Sequence, residues 1–288
     1  MESIRPFHDL STSRRLRRAS LLLGFAMGGF FDGILLHQIL QWHHLLSSIQ
    51  TGALGSLAAQ VVADGAFHAF MYVIATLGLI ELCRARLVSA SFDARPSLGF
   101  FWIGFGVWHI IDAVLSHWIT GIHRVKMDAD SPLIWDIAWV VVFGIVPLLY
   151  GWRARIHKRP PPDGQMRRKT YFGLLAPGVM ASAMANLFPF RADADADTTV
   201  IALRPGVAPT SMLQTLADTE ARIVWSDPQG SVWVMSAIPE GKKFALFRSG
   251  AMYVSGTAAP AGCSAWLRPD PSGSHTTGEP RPEPLLAK

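Results

Sequence analysis

Lysine and arginine are missing from long stretches of this chain: none falls between Arg18 and Arg84, between Arg95 and Arg124, between Lys126 and Arg153, or between Lys169 and Arg191. Five apolar segments fill these gaps, residues 20–41, 57–82, 98–118, 133–152 and 171–188. Each is close to the roughly 20 residues that cross a hydrocarbon layer about 30 Å thick. An apolar segment isolated in lipid must satisfy its own backbone groups, which leaves helix as its only form. The sequence thus predicts an all-α membrane protein, a bundle of five transmembrane helices followed by a small soluble α+β domain. Composition agrees, with 16% charged residues and a mean hydropathy of +0.27. A soluble domain carries about a quarter charged residues, so an ordinary cytosolic enzyme is excluded.

The cations fall on alternate sides of these segments. The N-terminal arm (residues 1–19) carries Arg5, Arg14, Arg15, Arg17 and Arg18, the next loop on that side Arg84, Arg86 and Arg95, and the loop of residues 153–169 a further basic block. The opposite loops hold only Arg124 and Lys126. The positive-inside bias then puts the N-terminus in the cytoplasm and the C-terminal domain outside, with Trp42, Trp118 and Trp135 as an outer aromatic belt. The block at 153–169 suits anionic lipid headgroups, which accounts for a pI near 9.5 without nucleic acid. A twin-arginine export leader around Arg14-Arg15 is the rival for the N-terminus, but the apolar run that follows contains Asp32 and leads into a polar cluster.

Beyond the four-helix unit (residues 20–152) and the fifth helix (170–188), residues 189–267 are patterned as the soluble domain. Strands are expected at 199–203, 222–226, 231–237, 244–247 and 252–255, with a helix at 209–221 whose Ser211 and Gln214 have capping-box spacing. The Pro- and Gly-rich tail at 268–288 cannot bury enough apolar surface to order itself. No internal repeat stands out. Cys83 and Cys263 fall on opposite sides of the membrane, which forbids their pairing, and no CxxC motif is present.

Chemistry concentrates in the bundle. Seven of the ten histidines, His37, His43, His44, His68, His109, His117 and His123, lie within 87 residues, together with Asp32, Asp64, Asp112 and Asp136. An Asp at the centre of a membrane helix costs about 2.5 to 3.5 kcal/mol, so several together need a shared purpose. At 1.5 Å per residue Asp32 and His37 lie about 18 and 25 Å above the inner surface, while Asp64 and His68 on the descending helix lie about 10 and 16 Å below the outer one. His109 reaches mid-membrane, Asp112 and His117 lie above it, and Asp136 opens the fourth helix. All therefore sort into the outer half. On a regular helix Asp64 and His68 share a face, as do His109 and Asp112, and His37 lines up with His44. Asp32 falls about 140° from His37 on the same geometry, and His43 points with Asp32, so both stand outside the expected ligand set.

Imidazoles and carboxylates converging in a water-poor pocket are what a transition metal needs. The expected metal residues are His37, His44, His68, His109, His117, His123, Asp64, Asp112 and Asp136, with copper, zinc or iron as the ion. Two other arrangements fit the same residues: a hydrogen-bonded or proton-conducting network without metal, and a b-type haem ligated by His68 and His109.

The segment Gly29-Phe30-Phe31-Asp32-Gly33-Ile34-Leu35-Leu36-His37-Gln38-Ile39-Leu40-Gln41-Trp42-His43-His44 resembles the signature of the bacterial membrane proteins grouped as domain of unknown function 2243. Asp64-Gly65-Ala66-Phe67-His68, Gly121-Ile122-His123-Arg124-Val125 and Trp135-Asp136 are similar to later motifs of that family, over residues 20–152. Helix three departs from the pattern at Ser116 and Arg124, where the family leads one to expect further acidic and histidine positions. The resemblance implies a four-helix unit of unestablished activity, associated with terminal oxidases and copper assembly, in a bacterial inner membrane, which would make the outer C-terminal domain periplasmic.

Elsewhere, Met180 and Met184 sit i, i+4 on helix five and are expected to pack, Glu81 is expected to pair with Arg84, and His8, His157 and His275 lie in polar arms. Two functions follow. One is a metal-binding accessory protein or subunit of a respiratory oxidase, handling copper, with lipid and membrane subunits as partners and no nucleic acid. The other is a membrane-embedded metalloenzyme, oxidoreductase or hydrolase, using Asp64 or Asp112 as ligand or base. No Ser-His-Asp, HExxH or P-loop pattern supports a named hydrolase or nucleotide enzyme.

Overall fold

The computed structural model describes residues 6–40, 42–88, 94–156, 168–187, 198–217 and 219–254. The segment 193–197, where Asp193, Asp195 and Asp197 alternate with alanines as in a solvated linker, the tail at 268–288, and His8, His157, His275 and Cys263 lie outside these residues or have no described side chain. Helix α1 (Pro6–Asp32) runs on as a π-helical stretch over Gly33–Ile39, and α3 (Ala94–Asp112) does the same over Ala113–Ile119. Between them lies α2 (Leu57–Val88). The fourth rod, α4, is α-helical over Pro132–Trp139, π-helical over Val140–Ile145 and α-helical again over Val146–Ile156. Arg168–Leu187 forms α5, with Pro177 inside it.

Four of these rods are long and apolar enough to cross a membrane, over Arg14–Ile39, Leu57–Ala85, Ser97–Ile119 and Pro132–Arg155. The first begins earlier than the sequence suggested, because Arg14 to Arg18 already belong to the helix. In α5 the apolar run is only Leu175–Ala185, shorter than a span.

Small residues set the packing. A Cβ on Gly24 would strike the Phe101 carbonyl, and one on Gly104 would strike that of Leu21, so α1 and α3 meet backbone to backbone at the centre. Helix α2 flanks α1 through Phe67, Met71 and Ala75, which join Leu23 and Phe30 in the core. Gly99 and Gly151 bring α4 against α3 in the same way. The outer faces of α2 and α4 expose Phe70, Val73 and Leu77, and Val142, Val146 and Leu149. Apolar surface of that extent suits lipid, not water.

The C-terminal region is a four-stranded antiparallel sheet in the order β2-β3-β1-β4, with β1 Thr198–Leu203, β2 Arg222–Ser226, β3 Val232–Ser236 and β4 Ala251–Val254. Helices α6 (Thr210–Leu216) and α7 (Glu240–Arg248) complete a split β-α-β connectivity of the ferredoxin-like kind. Two expectations fail here. Residues 244–247 are helix, because Leu246 alone turns fully inward while Phe244 stays 69% exposed, a helical spacing that a short apolar run disguises as a strand. Ser211 does not cap α6. It lies inside the helix, and its hydroxyl donates to the Ser249 carbonyl at 2.6 Å. One sheet face packs on α6 and α7 through Ile201, Leu203, Met212 and Leu246. The other, through Val200, Ala202, Val232 and Val234, packs on Ala58 at the start of α2.

Candidate metal centre

The polar groups of the bundle lie at one end, late in the rods α1 and α3 and early in α2 and α4, with the loops that join them. Both central rods reach this end as π-helix, in which residue i bonds to i+5. Residues five apart then share a side. Asp32 closes the α-helical part of α1 with His37 five residues on, and Asp112 and His117 stand in the same relation in α3. The chain leaves helical geometry beyond, and the loops fold back to bring His43, His44 and His123 inward. All eleven of the Asp and His side chains of the cluster are buried.

They sort into two trios. Asp32, His37 and His43 each offer a ligand atom within 4.8 Å of the others, and so do Asp112, His117 and His123. In the first, His37 Nε2 and His43 Nε2 are 3.2 Å apart. In the second, Asp112 Oδ2 lies 3.3 Å from His117 Nε2 and 3.8 Å from His123 Nε2. The Nδ1 atoms are engaged behind the trios. His43 Nδ1 donates to the Val125 carbonyl at 2.9 Å, and His123 Nδ1 to the Leu45 carbonyl at 3.0 Å. His37 Nδ1 lies 3.4 Å from Asp64 Oδ1, and His117 Nδ1 lies 3.1 Å from Asp136 Oδ1. Backing of this sort fixes ring and tautomer and turns Nε2 toward an ion. Burial, with His123 and His37 beside it, holds His43 well below the usual histidine range, so the ring is neutral and able to ligate.

The carboxylates behind the rings are fixed in turn. Asp64 accepts from the Leu45 amide at 2.8 Å and from His44 Nδ1 at 2.6 Å. Asp136 accepts from the Val125 amide at 3.0 Å and from Arg124 at 2.8 Å. Asp64, Asp136 and His44 therefore stand behind the trios. His68 lies beside Gly33, where an added Cβ would collide with its Nε2, and its ring is 6.1 Å from that of His37. His109 donates from Nδ1 to the Phe105 carbonyl at 2.9 Å, and the rings of Phe31, Phe105, Trp139 and Phe143 surround it at 4.6 to 6.0 Å. His109 Nε2 and Asp32 Oδ1 are buried with no hydrogen-bond partner among the described residues.

Outside this end, Glu81 pairs with Arg84 at 3.3 Å, and Met180 and Met184 are 51% and 47% exposed on α5, away from the trios.

Two residues that regular helical geometry sets aside, Asp32 and His43, thus belong to the clusters. The 100° step does not hold through a π-helical stretch, and His43 lies beyond the helix altogether. An internal repeat also emerges. Gly24 corresponds to Gly104, Phe25 to Phe105, Asp32 to Asp112, Leu35 to Leu115, His37 to His117, Ile39 to Ile119 and His43 to His123, each pair 80 residues apart. The structure repeats with the sequence: the contacts of Gly24 and Gly104 are reciprocal, as are the His43 and His123 bonds across the centre. A pseudo-two-fold axis therefore relates α1–α2 to α3–α4. The spacing Asp-x4-His-x5-His, present twice, was the signal in the sequence.

No curated protein and no solved structure matches the chain. Residues 19–158 match the family described as predicted membrane protein, domain of unknown function 2243, and over that stretch the chain is similar to these membrane proteins.

Proposed function

We propose that the chain is an inner-membrane protein that holds transition metal in the two trios, as a copper-handling or respiratory-oxidase accessory protein or subunit. One observation carries the reading: each of the four trio histidines has Nδ1 within 3.4 Å of a carbonyl or carboxylate oxygen, while Nε2 lies among the atoms of its trio. A proton network has no need of that uniform backing. The donors are imidazole and carboxylate, without thiolate or thioether, which suits Cu(II), Zn(II) or iron over Cu(I).

The same site supports a second reading. Three protein donors per trio leave coordination positions open, as a metalloenzyme requires. For topology we propose five spans with the N-terminus in the cytoplasm. The sheet packs at the start of α2, the end that carries the trios, while α4 finishes at the other, which supports α5 as a crossing between them. At 1.5 Å per residue its 20 residues reach about 30 Å.

Elemental analysis and a visible spectrum of the purified protein test the metal. The expected result is stoichiometric copper, zinc or iron, with less bound in His37→Ala and in His117→Ala. A Soret band, or a folded protein that binds no metal after reconstitution, overturns the reading.

A further inference from the structure

The stacking of His43 on His123 joins the two trios into one unit. Their ring centroids are 4.5 Å apart with the planes 13° from parallel, and each ring belongs to a different half. Within the halves the geometry repeats closely: His37 and His43 have ring centroids 4.8 Å apart at 73°, His117 and His123 4.7 Å apart at 72°. Each stacked ring is held by a backbone carbonyl from the opposite half, Val125 for His43 and Leu45 for His123. Neither trio is therefore complete without the other half.

The carboxylates complete each trio. Asp32 offers a ligand atom within 4.8 Å of those of His37 and His43, as Asp112 does for His117 and His123. Asp32 Oδ1 is buried without a hydrogen-bond partner among the described residues. A buried carboxylate oxygen with no donor against it is costly unless positive charge lies beside it.

Resting on the reading that the trios hold metal, we infer that they bind two ions as one coupled pair, related by the internal two-fold axis. Each ion takes Asp, His and His from its own half: Asp32, His37 and His43, or Asp112, His117 and His123. An ion lies close to the plane of an imidazole that ligates it, so ions held by the two stacked rings lie in near-parallel planes a few ångströms apart. Two carboxylates do not neutralise two divalent ions. The remaining charge and the open positions accept a small oxygen donor, water or hydroxide, shared between the ions.

The test uses the full chain in detergent, with His8, His157 and His275 replaced by Ala, stripped by chelator and titrated with Cu(II) alone. Two Cu(II) bound per chain are expected, with an electron paramagnetic resonance signal that integrates to well under two spins, or shows a half-field line, because the ions interact. In His43→Gln and in His123→Gln one ion should remain and integrate to one isolated spin. The wild-type spin count needs no variant to fold. No Cu(II), Zn(II) or Mn(II) bound to folded protein overturns the metal reading itself. One ion per chain, or two whose spins integrate to two with no sign of interaction, overturns the pair and leaves the metal reading intact.

Discussion

At the scale of single residues, the centre depends on groups that do not enter it. Asp64 holds His44, the Leu45 amide and, at 3.4 Å, His37, while the Leu45 carbonyl accepts from His123. Removing the carboxylate should release rings in both halves. Asp64→Ala is expected to weaken Zn(II) or Cu(II) binding by about 10- to 100-fold, the usual effect of losing such a backing group, as read by metal titration of folded protein. An unchanged affinity would show that Asp64 serves folding alone. Gly33 makes a steric prediction. A methyl group there meets His68 Nε2, and overpacking of this kind costs about 1 to 3 kcal/mol. Gly33→Ala should lower the melting temperature, and His68→Ala in the same chain should restore most of it. If the double variant melts no higher than the single one, the contact is not the cause.

At the scale of elements, four of the spans and the gathering of the polar groups at one end of the bundle could be read from the sequence, because both follow from counting residues between charges. Which groups meet could not. Asp32 and His37 are five apart, a separation that splits them on an α-helix and unites them on a π-helical turn, and nothing in Gly33–Ile39 announces that change. The anchors of His43 and His123 are carbonyls of Val125 and Leu45, and a backbone acceptor leaves no mark on residue identity. The repeat was hidden for a related reason. It retains the chemistry and the close-packed glycine but replaces most lipid-facing and core residues with other apolar ones. The glycine pair is open to test. In Gly24→Leu or Gly104→Leu the side chain meets a backbone carbonyl of the facing helix, which cannot yield as a flexible side chain would. Each should destabilise the bundle by at least the 1 to 3 kcal/mol of ordinary overpacking. Val73→Leu, on an exposed face of α2, should be neutral. Equal melting temperatures for all three would mean that α1 and α3 do not approach as closely as the structure has them.

At the scale of the whole molecule, the pseudo-two-fold relates two helix pairs whose first members run in the same direction, so the axis lies along the bundle and both trios open toward one surface. The small sheet packs at that surface through Ala58, and Ser231 Oγ accepts from the Ala58 amide at 3.4 Å. If the cation bias sets orientation, this surface is the outer one, and the metal positions are reached from the periplasm while the basic ends of the helices stay with the inner headgroups. In a cysteine-free background (Cys83→Ser, Cys263→Ser), Asp130→Cys lies in the exposed loop between α3 and α4, and Arg153→Cys lies exposed near the far end of α4. A membrane-impermeant maleimide added to intact cells should label Asp130→Cys, and should label Arg153→Cys only after permeabilisation. The opposite pattern would invert the molecule and have the centre draw its metal from the cytoplasm.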